Sequence, residues 1–421
     1  MSYRFKLRSK NVYYDGEFRN LEVGIKDGEI AAVGTETGEA NEIIDLEDNL
    51  VIPGVIDGHV HFRDPGETAK EDFRSGSRAA VRGGVTTVVD MPNNQPPIKS
   101  AELFEEKKRI AGKKSLVNFA LYAGIPKDLS EIPALVDSGA VGFKYYMAEE
   151  EVDLAELSGR IEDLEALLTV HAEVSEELNP QGPPGSPEEY LDSRPPRAEL
   201  KAMEKLLEVR PARLHLAHVT LPETVWKAEG TASKEVTPHH LLLSRSMVGL
   251  KDFTAVTNPP IRDAETVKDL KESFLDGRIG MLASDHAPHL SSEKLTKKPS
   301  EASPGIPGVE TLVPLSLTFA RESGSPLSLA VDALTKNPAE LFGFERRGRI
   351  KEGYRADITV LDGDKSTPIR GDDFLSKAKV TPFEGWEVSF WPKMTIVNGT
   401  PVYRDGKITD EGAGEFLRGG D

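Results

Sequence analysis

Eight short apolar segments of strand length recur between residues 54 and 284, with helical patterns between most of them. They span residues 54–61, 85–90, 117–123, 141–146, 167–171, 214–218, 235–238 and 279–284. Within 199–209, Leu200, Met203, Leu206 and Leu207 fall on one face at helical spacing. Residues 309–322 and 327–335 read as helices after the eighth strand. Eight β/α units over roughly 250 residues predict an α/β fold, a TIM (β/α)8 barrel. A doubly wound sheet is the alternative, but no glycine-rich nucleotide loop follows the first strand. No repeat of solenoid period is present.

The ends of the chain have a different texture. Leu21-Glu22-Val23-Gly24-Ile25 alternates with period two. Asp15-Gly16, Asp27-Gly28, Asn398-Gly399 and Asp405-Gly406 are hairpin-turn dipeptides. Residues 356–361 and 394–397 read as strands. Because chain termini often lie close together, the two ends predict one small β-sandwich-like domain; two independent edge hairpins are the alternative. The expected division is 1–52 and 346–421 for the β domain, and 53–345 for a metal-dependent hydrolase barrel.

Charge and composition narrow the function. The 421 residues carry a formal net charge of −18. No basic face for nucleic acid and no polybasic membrane anchor is expected. Cysteine is absent, which excludes disulfides, a thiol nucleophile and cysteine-ligated zinc. Any metal site must use His and carboxylates. No apolar run reaches about 18 residues and no secretory signal opens the chain, so a cytoplasmic location is expected. Two long loops, 179–196 and 289–305, read as binding loops or plain insertions.

Only nine histidines exist, and they gather at strand ends. His59 and His61 close the first strand, His171 the fifth and His218 the sixth, while Asp285 and His286 close the eighth. In a barrel these ends share one face, the one that carries active sites. His59-Val60-His61 puts two imidazoles on one side of a strand, able to bind one metal. His218 is the expected sixth-strand ligand, with His215 facing the wall. His286 alternates against Asp285 and is expected in the wall. His239-His240 reads as core or as support for the site.

Lys144 lies in the fourth strand among apolar and aromatic neighbours, where an ammonium is costly and cannot bind a metal. A neutral amine there can add CO2 to form a bridging carbamate. Pairing with an acid, or binding an anionic substrate, remains the alternative from spacing alone.

Asp57-Gly58-His59-Val60-His61-Phe62-Arg63-Asp64-Pro65-Gly66 resembles the signature of the cyclic-amide amidohydrolases, and among them the dihydroorotase family. The resemblance continues through Asp90-Met91-Pro92-Asn93-Asn94, Gly142-Phe143-Lys144, His171-Ala172-Glu173 and His215-Leu216-Ala217-His218-Val219. It extends through Asn258-Pro259-Pro260-Ile261-Arg262, Ser284-Asp285-His286-Ala287-Pro288-His289, Pro304-Gly305-Ile306-Pro307-Gly308-Val309-Glu310 and Thr381-Pro382-Phe383-Glu384-Gly385.

The resemblance implies a barrel with a β domain built from both termini, and two divalent metal ions, usually zinc. It implies that His59, His61 and Asp285 bind one metal, that His171 and His218 bind the second, and that a carbamate on Lys144 bridges them. Some bacterial dihydroorotases carry aspartate at the bridging position; Lys144 sides with the hydantoinases and allantoinases. The expected substrate pair is N-carbamoyl-L-aspartate and L-dihydroorotate, interconverted in pyrimidine synthesis by metal-activated hydroxide, with Asp285 as general base and then acid.

Arg63 is expected to grip the substrate carboxylate bidentately. Asn93, His289 and Asn258 are expected to add hydrogen bonds, and Pro304 and Gly305 backbone contacts to the ring. The competing readings are a dihydropyrimidinase, hydantoinase or allantoinase, and a non-catalytic scaffold that keeps the fold. Zn2+, Co2+ and Mn2+ all suit a His/carboxylate set. A homo-oligomer is a further expectation; association with a neighbouring carbamoyltransferase is not readable from the sequence.

Overall fold

The computed structural model describes residues 2–178, 185–248, 253–295, 302–409 and 412–419. Of the two long loops expected from the sequence, residues 179–184 and 296–301 lie outside the described residues.

The parallel strands are Val55–Val60, Val85–Asp90, Asn118–Leu121 continuing as Ala123–Gly124, Phe143–Tyr146, Leu168–His171, Leu214–Leu216, Ala232–Val236 and Met281–Leu282. Each pairs in parallel with the next. The third is broken only at Tyr122, whose N–H donates to Asp90 O while Ala123 N–H donates to Gly142 O, both at 3.0 Å. Val60 also pairs in parallel with His286, just past the eighth strand. There His61 N–H donates to His286 O at 2.8 Å. Hydrogen bonds thus run around all eight strands, which fits a barrel.

Burial on both faces explains why these strands read as continuous apolar runs rather than alternating ones. All six residues of Val55–Val60 are buried. The helices between them bury one stripe each. Pro196–Val209 buries Ala198, Ala202, Met203 and Leu206, and starts three residues before the expected 199 because Pro196 suits the first helical turn. Phe73–Arg82 is capped by Asp72, which accepts from Arg74 N–H and Ser75 N–H. After the eighth strand come the helices Leu312–Glu322, Leu327–Leu334 and Lys336–Phe342.

The seventh strand differs from expectation. It spans Ala232–Val236 rather than 235–238, and Pro238–Leu242 is a short helix with Thr237 as its cap. Thr237 Oγ1 accepts from His240 N–H at 3.2 Å. Threonine followed by proline is a helix-start signature that outweighs the apolar run.

Both chain ends build one nine-stranded sheet. Its order is Lys407–Ile408, Thr400–Arg404, Trp391–Val397, Ile358–Asp362, Leu50–Pro53, Phe5–Tyr14, Glu17–Lys26 and Glu29–Gly34, with Ile43–Asp45 also on Phe5–Tyr14. Val51 joins the two ends, pairing with Val12 on one side and Val360 on the other. A single hydrogen-bonded sheet thus stands where a sandwich-like unit was expected. Leu7, Val23, Ile25, Val51, Ile358, Val360 and Ile396 share its core. All four expected turn dipeptides have positive φ at both positions, as hairpin turns that match strand twist require.

The sheet meets the strand ring at Gly54. Its N–H donates to Asp357 O at 2.7 Å, and a Cβ there would sit 2.3 Å from Thr86 Oγ1. Only glycine allows this approach.

Candidate metal centre and substrate cleft

The polar residues at the strand ends converge. His59, His61, His171, His218 and Asp285 line one cleft of about 260 Å3, together with Arg63, Asn93, Asn258, His289, Pro304 and Gly305. Lys144 lies beneath it, fully buried. A larger cavity of about 750 Å3, lined by Tyr13, Asp332 and Arg349, sits by Pro53 at the entry end of the first strand. No histidine lines it.

Two groups of inward atoms form. His59 Nε2 and His61 Nε2 lie 3.3 Å and 3.1 Å from Asp285 Oδ1. Ligand atoms of these three residues all fall within 4.8 Å of one another, a spacing that can hold a metal ion. His171 Nδ1 lies 3.2 Å from His218 Nε2. The two groups are adjacent, with 5.2 Å between the His59 and His218 ring centroids.

The outward ring nitrogens are mostly held. His59 Nδ1 contacts Glu235 Oε1 at 2.5 Å, His61 Nδ1 contacts Asn93 Oδ1 at 2.7 Å, and His171 Nε2 contacts Glu173 Oε2 at 2.7 Å. Each acceptor keeps the proton on the outer nitrogen, leaving the inner lone pair free to coordinate. His218 Nδ1 has no partner among the described residues. Burial lowers the pKa of His61 to about 4 and pushes His171 down and His218 well down. All three are therefore neutral near pH 7, the form that binds metals.

Lys144 Nζ is buried and makes no hydrogen bond among the described residues. Burial brings its pKa down to about 8, against the pull of Glu235 and Asp285. A solitary buried amine is costly. Lys144 interacts electrostatically with Asp285, His171 and His218, where conversion to a carbamate would add anionic oxygen donors to the set. The donor set as a whole fits two divalent ions.

Burial opposes ionisation of Asp285, but His59 and His61 hold its carboxyl below the usual range. Asp57 ties this strand end to the first strand by accepting from Ser284 N–H at 3.0 Å; burial raises its own pKa to about 6. Arg63, His218 and Asp285 all have positive φ, at 60°, 36° and 44°. For non-glycine residues this is strained backbone, of the kind that concentrates at functional sites.

The Arg63 guanidinium, which lines the same cleft, is buried, and its Nε has no partner among the described residues. His289 Nε2–H donates to Pro304 O at 2.9 Å. Burial, then Arg63, lowers the pKa of His289 to about 2, so its Nδ1, which has no hydrogen-bond partner among the described residues and lies 3.8 Å from Glu293 Oε2, is an acceptor. Gly305 has φ 144°, and a Cβ there would sit 2.5 Å from Ala287 O.

The remaining histidines are not among the residues that line the cleft. His215 is held by Ser233 and Glu235, at 2.9 and 3.2 Å. His286 Nδ1 accepts from Gly308 N–H at 3.2 Å. His240 contacts Thr237 and Pro259 O. His239 is buried without an Nε2 partner among the described residues. The Thr381–Gly385 motif is also remote: Glu384 accepts from Gly371 N–H at 2.8 Å.

Sequence reasoning missed four residues. Glu173 and Glu235 look like any other acids until their histidine partners are known. Tyr146 and Glu149 also line the cleft, and the Tyr146 hydroxyl is buried without a partner among the described residues.

Residues 50–402 match the model of the amidohydrolase family. A dihydroorotase of Methanothermobacter thermautotrophicus is 38% identical, over 98% of this chain and 97% of that protein. A dihydroorotase of Staphylococcus aureus is 34% identical, over 95% and 99%. Among solved structures, an L-hydantoinase (dihydropyrimidinase) from Arthrobacter aurescens superposes with a TM-score of 0.93 at 30% identity, covering 99% of this chain and all of that one.

Proposed function

The chain belongs to the amidohydrolase family, and from that premise we propose that it carries out the reaction of a dihydroorotase. That reaction is the reversible cyclisation of N-carbamoyl-L-aspartate to L-dihydroorotate. The observation that carries the substrate assignment is Arg63, a buried guanidinium that lines the same cleft as the histidine groups. Both members of the substrate pair bear a carboxylate, and hydantoin and allantoin bear none. Full-length dihydroorotase relatives point the same way.

In this reading the fold is a TIM barrel, residues 53–345, with a β domain from residues 1–52 and 346–421. His59, His61 and Asp285 would hold one divalent ion and His171 and His218 another, with carboxylated Lys144 between them. Zinc suits the set, as do cobalt and manganese. When bound, the ions supply a polarised water as nucleophile and an electrophile for the amide carbonyl.

The chain's own residues do the rest. Arg63 pairs with the carboxylate and orients the ring. Asn93 holds His61 with its oxygen and keeps its amide N–H groups for substrate. His289 offers an acceptor to a ring N–H, Asn258 adds a hydrogen bond, and Pro304 and Gly305 line the ring edge with backbone. In ring opening, Asp285 takes a proton from the attacking water. The carbonyl C–N bond breaks, and Asp285 returns the proton to the departing nitrogen. Ring closure reverses this: the ureido nitrogen loses its proton to Asp285, attacks the side-chain carboxyl, and water leaves.

The solved L-hydantoinase likeness favours a second reading, the same centre acting on uncharged rings. Arg63→Met separates the two. The change is expected to abolish dihydroorotate turnover while metal content stays at wild-type level. Wild-type turnover of dihydroorotate by this variant overturns the substrate assignment.

A further inference from the structure

The wall behind His171 is built from charges rather than apolar packing. Arg194 donates twice to fully buried Glu173, with Nε 3.1 Å from Oε2. The same Oε2 accepts from His171 Nε2–H at 2.7 Å. Arg262 Nη1 donates to Arg194 O at 2.7 Å, its Nε donates to Thr220 Oγ1 at 2.9 Å, and its Nη2 lies 3.7 Å from Glu199. Two carboxylates and two guanidiniums, all largely buried, thus stand behind one imidazole. Apolar side chains of the same volume would stabilise such a wall at least as well, so packing alone does not explain them.

The stretch that carries Arg194 also reaches the substrate side. The helix Pro187–Asp192 begins at its Ser186 cap, and the Tyr190 hydroxyl on it donates to Asn258 Oδ1. Burial raises the Tyr190 pKa to about 12, so the hydroxyl stays a donor. With its oxygen engaged, Asn258 can turn only its amide N–H groups to the cleft it lines.

Taking His171 as a metal ligand, which rests on the reading above, we propose that residues 187–194 organise both halves of the centre. Arg194 is a positioning residue that acts through Glu173. Its two N–H groups fix the carboxylate plane, and the carboxylate fixes the His171 tautomer with the Nδ1 lone pair turned to His218. Tyr190 is the matching positioning residue for Asn258. One short stretch therefore sets a metal ligand and a substrate contact together, and each of its two residues governs a different constant.

The test uses the full chain: wild type, Arg194→Gln, Arg194→Lys, Glu173→Gln and Tyr190→Phe. Zn2+ stoichiometry and affinity are measured by competition with a chelating dye, alongside KM and kcat for ring opening. Wild type is expected to bind two ions. Arg194→Gln is expected to weaken one of them about 10- to 100-fold and leave the other unchanged, with Arg194→Lys partly restoring it. Tyr190→Phe removes one hydroxyl from a folded chain and is expected to raise KM severalfold at wild-type metal affinity.

Wild-type affinity for both ions in Arg194→Gln and Glu173→Gln, or an unchanged KM in Tyr190→Phe, overturns the inference. Failure of wild type itself to bind a second ion overturns the ligand reading of His171, and the inference with it. The two failures are told apart by the protein in which they occur.

Discussion

Asp285 Oδ1 lies 3.1 Å from His61 Nε2, although 224 residues separate the two in sequence. The contact places the one carboxylate of the cluster against the first strand's histidines, at a spacing that can hold a metal ion. As the proton carrier of the proposed reaction, Asp285 cannot be replaced by an amide. Asp285→Asn is expected to lower kcat by about 10²- to 10⁴-fold. A kcat within severalfold of wild type contradicts this role.

Lys144 provides a second test. Its buried amine has no hydrogen-bond partner among the described residues, and it interacts electrostatically with Asp285, His171 and His218. Lys144→Ala is expected to bind fewer than two ions per chain by elemental analysis, with ring-opening activity largely lost. Intact-mass measurement of the native wild type is expected to show one added CO2. Two ions per chain in Lys144→Ala argues against any bridging role.

Gly305 links backbone geometry to activity. With φ 144° and a Cβ position 2.5 Å from Ala287 O, even alanine forces this backbone away from His289 and Pro304. Gly305→Ala is expected to raise KM for dihydroorotate more than it lowers the thermal midpoint. An unchanged KM removes Gly305 from the substrate wall.

Glu22 predicts a pH dependence far from the cleft. Burial opposes its ionisation, but Lys6, Thr37 and Arg8 together lower its pKa from 4.5 to about 2. Lys6 Nζ is 2.9 Å away and Arg8 Nη2 2.8 Å away. A depressed carboxylate pKa stabilises the fold fully above the unfolded value. That contribution fades as pH falls from 4.5 toward about 2. The gap in denaturant midpoint between wild type and Glu22→Gln should therefore be widest near neutral pH and close on acidification. A gap independent of pH contradicts this assignment.

Much of this was legible in the sequence, and for physical reasons. Asp-Gly and Asn-Gly dipeptides announce left-handed turns, and all four turns are present. Strand ends bearing His or Asp stand out because the strands before them are apolar. Local rules failed where two of them competed, as at Thr237-Pro238, where a helix start overrode an apolar run. They were silent on long-range pairing. Nothing near Val60 announces His286, and nothing near Glu173 or Glu235 announces which imidazole each carboxylate holds. The polar chain from His171 to Arg262 joins residues from four separate stretches and exists only in the folded molecule.

The most direct test of the account is metal-dependent ring opening of L-dihydroorotate, measured beside hydantoin and allantoin before and after chelation. The account predicts turnover of dihydroorotate alone, lost on chelation and restored by added divalent metal. Turnover of the uncharged rings in its place, or turnover of dihydroorotate that survives complete metal removal, contradicts it.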